Sequence, residues 1–161
     1  MTRSLPARVV ARREPAQELS RAAFFDVVLA ELRQLLPAKL GEPRVKRFGS
    51  LLKVFYTNER IHYEVALDSR LGQIEIGLHC EDGPMNTLTF LRFFNERIVE
   101  LKHTLGPEVE LERWTMSWGR LFELWPMTRL DTETAKAVGR RLAVMVRTLE
   151  PLLGEAGLSS R

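Results

Sequence analysis

Two histidines and two glutamates are the residues of this chain whose types and spacing could do chemistry. His62 and Glu64 alternate along one stretch of apolar and polar residues, and Glu75 and His79 alternate along the next. Imidazole nitrogens and carboxylate oxygens are metal ligands, and they also form acid–base pairs. The alternative interpretation is a solvated sheet face with ordinary cross-strand pairs. Two histidines on separate strands lack the local ligand spacing of a specific metal motif.

No established active-site motif accompanies these four residues. The chain contains no glycine-rich phosphate loop, no HExxH, no paired CxxC and no nucleophile elbow. We therefore expect no catalytic residue, no bound metal and no cofactor, and a binding role is favoured over enzymatic activity.

All three tryptophans of the chain lie close together, at positions 114, 118 and 125. Alternation places the first two on one side of a predicted strand. They either fill the core against the last helix or form an exposed patch, since tryptophan is enriched at protein interfaces. A base-stacking platform would need interleaved Lys and Arg, which this segment lacks. The candidate protein-interaction residues are Trp114, Trp118, Trp125 and Phe55.

The net charge of +3 conceals a basic start and a basic segment. Residues 1–13 contain four arginines and no acid, whereas residues 61–112 contain ten acids against four bases. This bipolarity is typical of a basic arm on a domain, and equally of an ordinary solvated surface. The candidate nucleic-acid contacts are Arg8, Arg12, Arg13, Arg44, Lys46, Arg47 and Lys53.

Hydrophobic periodicity predicts the elements that must position these residues. Helices are expected over residues 15–36, from an N-cap at Asn86 or Thr87 to Leu105, and after an N-cap at Asp131. Period-two alternation predicts strands over 51–56, 61–67, 74–80, 109–116 and 121–125, with Gly119 in the last turn.

The resulting fold class is α+β, a five-stranded antiparallel sheet with helices packed on one face, in the order α-β-β-β-α-β-β-α. Residues 14–153 are expected to form a single domain. Residues 1–13 are expected to be a mobile basic arm, and residues 154–161 a frayed tail.

Turn lengths predict the register of the first two hairpins. A two-residue loop at 58–59 places Lys53 opposite Glu64, and a four-residue loop at 69–72 places His62 opposite His79. One sheet face, which the helices leave uncovered, would then carry Lys53, Phe55, His62, Glu64, Glu75 and His79.

Cysteine content and hydropathy indicate the compartment. Cys80 is the only cysteine, so an intrachain disulfide is impossible, and its place in a strand predicts a small core residue. No apolar run approaches the roughly 18 residues that span a bilayer. We expect a cytoplasmic protein that makes no membrane contact.

Three stretches carry a resemblance to a known family. They are Ile61-His62-Tyr63-Glu64-Val65 leading into residues 73–78, the amphipathic helix ending in Leu105-Gly106, and Glu110-Leu111-Glu112-Arg113-Trp114. From about Arg21 to Leu153 the chain resembles an uncharacterised family of small α+β domains found beside restriction-modification and other DNA-handling proteins. The resemblance implies a DNA-associated accessory role with no known catalytic residues. The element order is also similar to that of bacterial secretion chaperones, which form homodimers.

The residues favour a non-catalytic protein-interaction or adaptor module, acting as a homodimer or with a protein partner. The alternative is a nucleic-acid accessory protein whose basic arm contacts phosphates. An enzyme or metal protein using His62 and His79 is the least favoured of the three hypotheses.

Overall fold

The computed structural model describes residues 16–158, which form one antiparallel sheet backed by helices. In chain order the elements are α1 (Arg21–Leu35), β1 (Arg44–Phe48), β2 (Leu51–Phe55), β3 (Ile61–Asp68), β4 (Gln73–Cys80), α2 (Gly83–Asn95), α3 (Ile98–Leu105), β5 (Glu110–Thr115), β6 (Trp118–Pro126) and α4 (Thr132–Glu155). The predicted α+β class and antiparallel sheet are confirmed. The predicted basic arm, with Arg8, Arg12 and Arg13, lies outside the described residues.

The sheet has six strands in the order β1-β2-β3-β4-β6-β5, with every neighbouring pair antiparallel. Lys53 pairs with Glu64 and His62 pairs with His79, which confirms the register predicted from turn lengths. The register holds because a slip of one residue would turn the apolar side chains of each strand away from the core.

The predicted count of five strands is wrong, because the prediction omitted β1. Four of its five residues are exposed, so the strand has no buried period-two pattern to read. Its position is set instead by pairing with β2 across a tight turn. Gly49 sits in that turn at a φ of 56°, a conformation that glycine adopts without steric cost.

The second predicted helix is in fact two helices, α2 and α3. The guanidinium of Arg97 donates to the carbonyl oxygen of Phe93 at 3.0 Å, and it also lies 3.7 Å from the centre of the Phe93 ring. In a continuous helix that carbonyl would accept from the backbone N–H of Arg97. This N–H instead donates to Phe94, one residue closer, and the helix breaks.

The predicted ends of the helices are partly corrected. The first helix begins at Arg21 rather than near residue 15, because the Ser20 hydroxyl accepts from the amide of Ala23 and caps it. The second begins at Gly83, ahead of the predicted N-cap. Asp131 caps α4 as predicted. That helix continues beyond residue 153 to Glu155, and Leu158 is buried after it.

The hydrophobic core lies between the helices and one face of the sheet. Phe24 and Val28 of α1 and Leu142 and Leu149 of α4 are fully buried there. The two helices approach closely at Gly139, where an added Cβ would lie 2.7 Å from the Val28 carbonyl oxygen. Within residues 16–158, all four α-helices contribute buried side chains to this one core, and none of them lies on the other sheet face. No described helix is both long and apolar enough to cross a membrane.

Candidate binding face of the sheet

The side of the sheet opposite the core, here called the open face, carries most of the predicted site residues. Cross-strand pairing places the following side chains on it: Arg44, Lys46, Lys53, Phe55, His62, Glu64, Glu75, His79, Glu110, Glu112, Arg120, Phe122 and Leu124. Although none of the described helices covers this face, His62 and His79 have no exposed surface. Phe55 is also buried, so the structure removes it from the exposed anchors predicted from sequence.

His62 is held by one hydrogen bond to the backbone and faces carboxylates with its other nitrogen. Nδ1 lies 2.8 Å from the carbonyl oxygen of Glu59, which can only accept, so Nδ1 carries a hydrogen. Nε2 lies 3.2 Å from Glu64 Oε2 and 3.7 Å from Glu81 Oε1. Nε2 is therefore the nitrogen that faces the two carboxylates.

His79 is fixed in the opposite tautomer. The indole N–H of Trp118 donates to His79 Nδ1 at 3.2 Å, so Nδ1 carries a lone pair. Nε2–H therefore donates to Glu75 Oε1, at 2.7 Å. The other Glu75 oxygen accepts from Arg120 at 2.6 Å, and Arg120 also pairs with Glu112 at the same distance.

The two imidazole rings stack at a centroid separation of 5.5 Å, with Glu64 close to both. Glu64 Oε2 lies 4.0 Å from His79 Nδ1. Burial alone would raise the pKa of the Glu64 carboxyl. The hydrogen bond from His62 and the nearby positive charge of Lys53 act in the opposite direction, and this pKa lies below its ordinary value. Glu64 is therefore a carboxylate at neutral pH.

The tryptophans predicted as one cluster separate onto the two faces. Trp114 and Trp118 lie against each other on the open face, with ring centroids 4.5 Å apart and ring planes tilted by 36°. They belong to two strands joined by a turn at 116–117, so the predicted turn at Gly119 is wrong. Trp125 lies on the core side, where its indole N–H donates to Glu123 at 2.8 Å. Its partly buried ring packs against the core, so Trp125 is not part of the open-face patch.

A cavity of about 480 Å³ lies on the open face beside Trp114. Trp114, Trp118, Leu71 and Leu124 supply its apolar lining, and Glu64, Glu75 and Arg120 are among its charged residues. Trp114 is 51% exposed, yet the Arg120 guanidinium lies 4.1 Å from the centre of its ring. This tryptophan is thus held in place without being buried.

The predicted nucleic-acid residues that the structure describes lie on both sides of the β1–β2 hairpin. Arg44, Lys46 and Lys53 are on the open face, where Lys46 pairs with Glu59 at 2.5 Å and Lys53 with Glu81 at 3.6 Å. Arg47 lies on the helix side and pairs with Asp26 of α1 at 2.7 Å.

Cys80 is buried in the core cluster, as its strand position predicts. Burial raises the pKa of its thiol, which keeps the thiol protonated and unreactive.

Sequence reasoning missed two residues of the open-face network, Glu81 and Arg120. Glu81 had a signal in the sequence, because His79-Cys80-Glu81 repeats the His-x-Glu spacing of His62-Tyr63-Glu64. Arg120 had none, since it meets Glu75 only through the β4–β6 pairing that the topology creates.

Comparison with known proteins does not assign this chain to a family. No protein-family model matches the chain, and no curated protein matches it in sequence.

Proposed function

We propose that this protein is a non-catalytic, cytoplasmic interaction module that pairs with a second copy of itself through the open face. The observation that carries the proposal is Trp114, a half-exposed aromatic held by Trp118 and Arg120 at the edge of a cavity. Exposed tryptophans beside pockets are frequent anchors of protein interfaces. Leu124 is 47% exposed and extends the apolar surface across the same cavity.

Charge favours a second copy as the partner. Basic residues lie on the β1–β2 side of the open face, where Arg44 has no ion pair with any described residue. Acidic residues lie on the opposite side, where Glu75 and Glu112 share the single cation Arg120 and so keep one net negative charge. A two-fold axis near the middle of the sheet would bring the basic side of one copy against the acidic side of the other. A two-fold interface needs this kind of self-complementary surface.

The experiment is sedimentation equilibrium over a concentration series. We expect the wild-type chain to approach twice its 18.5 kDa mass. Trp114→Ala should weaken the dimer by about 2 kcal/mol or more, close to thirtyfold in dissociation constant. Val99→Ala is the matched control, because Val99 is 76% exposed on α3, away from the open face. A wild-type chain that stays monomeric at 100 µM or so would reject self-association at any affinity typical of a functional dimer.

A second candidate function is contact with nucleic acid, which the predicted family resemblance also implies. The alignment of Arg44, Lys46 and Lys53 on one side of a sheet edge favours it. Binding of a labelled duplex should weaken steeply with salt, by a log–log slope near −0.9 per phosphate contacted. The double variant Arg44→Ala/Lys46→Ala should flatten that slope, and Arg140→Ala on α4 is the control. Binding that is indifferent to salt would count against this function.

A further inference from the structure

We propose that His62, Glu64, His79 and Glu81 form a divalent-cation site, and that Zn²⁺ is the ion its ligands fit. One ligand atom from each residue lies within 4.8 Å of the others. Tetrahedral zinc with bonds of about 2.0–2.1 Å separates its ligand atoms by about 3.3 Å. The observed separations of 3.2, 3.7 and 4.0 Å around His62 Nε2 and Glu64 Oε2 are close to that value. Small side-chain movements would therefore complete the coordination shell.

In each ring, the nitrogen that would not bind the ion is already held as it is in metal sites. A ligating histidine almost always donates its second N–H to a backbone carbonyl or a carboxylate, which fixes the ring and its tautomer. His62 donates from Nδ1 to the carbonyl of Glu59, and His79 donates from Nε2 to the carboxylate of Glu75. Glu75 was predicted from the sequence as part of the site itself, but it contacts the nitrogen of His79 that would not bind the ion. Arg120 in turn holds Glu75 in place.

The other nitrogen of each ring, Nε2 of His62 and Nδ1 of His79, lies close to carboxylate oxygens. His62 Nε2 faces the oxygens of Glu64 and Glu81, and the lone pair of His79 Nδ1 faces Glu64. Two buried imidazoles beside two carboxylates are a cation site in charge and geometry, because a bound cation would satisfy all four groups at once. On an ordinary solvated sheet face, the same side chains would extend into water.

Ligand chemistry selects the ion. Imidazole nitrogens favour zinc and its transition-metal neighbours over magnesium and calcium, which prefer oxygen. Four protein ligands leave no coordination position for a reacting water, which is typical of structural rather than catalytic zinc. The site uses residues of one chain only, so a single chain supplies all four ligands.

Binding requires the hydrogen bond between His62 Nε2 and Glu64 to be replaced by bonds to the ion, with loss of any proton on Nε2. Two further contacts must also change. Glu81 must release Lys53, with which it pairs at 3.6 Å. His79 Nδ1 must release the indole N–H of Trp118. The second change predicts that Trp118 fluorescence will respond to the ion, a readout that adventitious surface binding would not produce.

The test is calorimetric titration of the untagged, chelator-treated full chain with zinc sulfate, followed by metal analysis after dialysis. We expect one Zn²⁺ per chain with a dissociation constant of micromolar or below, and a matching change in tryptophan fluorescence. His103→Gln is the matched control, because it removes the one histidine that lies outside the site and is exposed on α3. This variant should bind as the wild type does.

Two variants decide the outcome. His62→Gln should lose at least a hundredfold in affinity. Glu81→Gln should lose at least tenfold, and it keeps the fold testable because Glu81 is only partly buried and follows the end of β4. Wild-type binding well below one ion per chain would overturn the proposal. Unchanged affinity in a folded Glu81→Gln chain, verified by circular dichroism, would remove Glu81 from the site and with it the four-ligand geometry.

Discussion

Replacing Arg141 of α4 by methionine removes the cation of a buried ion pair on the core side of the sheet. Arg141 Nε donates to Glu123 Oε1 at 2.6 Å, and Nη2 donates to Oε2 at 2.7 Å. Nη2 also donates to the carbonyl oxygen of Leu105 at the end of α3. Glu123 is only 4% exposed, and its remaining partner is the indole N–H of Trp125.

The expected loss of stability follows from what the substitution leaves behind. A buried carboxylate that loses its cation costs about 3–5 kcal/mol. The helix-end carbonyl of Leu105 loses its side-chain donor as well. Since domains of this kind are stable by about 5–15 kcal/mol, Arg141→Met should remove a large part of the free energy of unfolding. At about 2–4 °C per kcal/mol for a chain of this size, Tm should fall by roughly 6–20 °C.

Urea denaturation followed by circular dichroism measures this loss, and the neighbouring arginine supplies the control. Arg140 pairs with Glu31 at 3.3 Å, but its side chain is 51% exposed, so Arg140→Met should cost about 0–1 kcal/mol. The double variant Glu123→Met/Arg141→Met should recover most of the stability, because both charges leave the interior together. A cost below about 1 kcal/mol for Arg141→Met alone would refute the assignment of a buried, mutually dependent pair.

Three further substitutions test a close approach between strands, an open position in α4 and a helix cap. An added Cβ at Gly77 would lie 2.6 Å from Phe122 Cβ, so Gly77→Ala should lower the free energy of unfolding by about 1–3 kcal/mol in urea denaturation. Gly154 has open space around it, so Gly154→Ala should stabilise α4 by about 0.5–1 kcal/mol. Equal effects of the two substitutions would contradict the close approach of β4 and β6. Asp131→Ala should lower Tm at pH 7, because the Asp131 carboxylate accepts from the Thr134 amide at 2.8 Å, a bond that holds the pKa of Asp131 below its ordinary value. A carboxylate whose pKa is lowered by folding stabilises the folded state above the ordinary aspartate pKa, and this contribution is lost as the pH falls. The difference in Tm between Asp131→Ala and the wild type should therefore shrink below about pH 4. A difference that does not change with pH would contradict the cap.

The strands with a buried face could be predicted from the sequence, and the strand without one could not. β3 and β4 alternate cleanly because one side packs on the core, and their hairpin loops fixed the pairing of His62 with His79. β1 is exposed almost throughout, so neither hydrophobic period nor burial distinguishes it from a loop. Whether these residues form a strand depends on their pairing with β2, and the residues of β1 alone carry no information about that pairing.

The candidate site shows the same division between local and long-range information. The positions of His62, Glu64 and His79 on one face follow from alternation within each strand. Their burial does not, because it depends on Trp118 of β6, a strand that lies between β4 and β5 in the sheet and pairs with both. The separation of Trp125 from Trp114 was missed for a related reason, since the turn was predicted at Gly119 and lies at residues 116–117.

The exposed anchor and the buried histidines belong to one chain of contacts. The Trp114 ring lies against Trp118, and the indole N–H of Trp118 donates to His79. Arg120 lies against Trp114 and also binds Glu75, which accepts from the other nitrogen of His79. An ion that takes His79 Nδ1 must displace the Trp118 indole, and the ring on which Trp114 rests then moves. Binding at one site should therefore alter affinity at the other, and by thermodynamic linkage the effect must be reciprocal. Sedimentation equilibrium with and without Zn²⁺ measures this coupling as a change in dimer dissociation constant. Equal constants in the two conditions, with the ion bound, would show that the aromatic anchor does not depend on the position of Trp118.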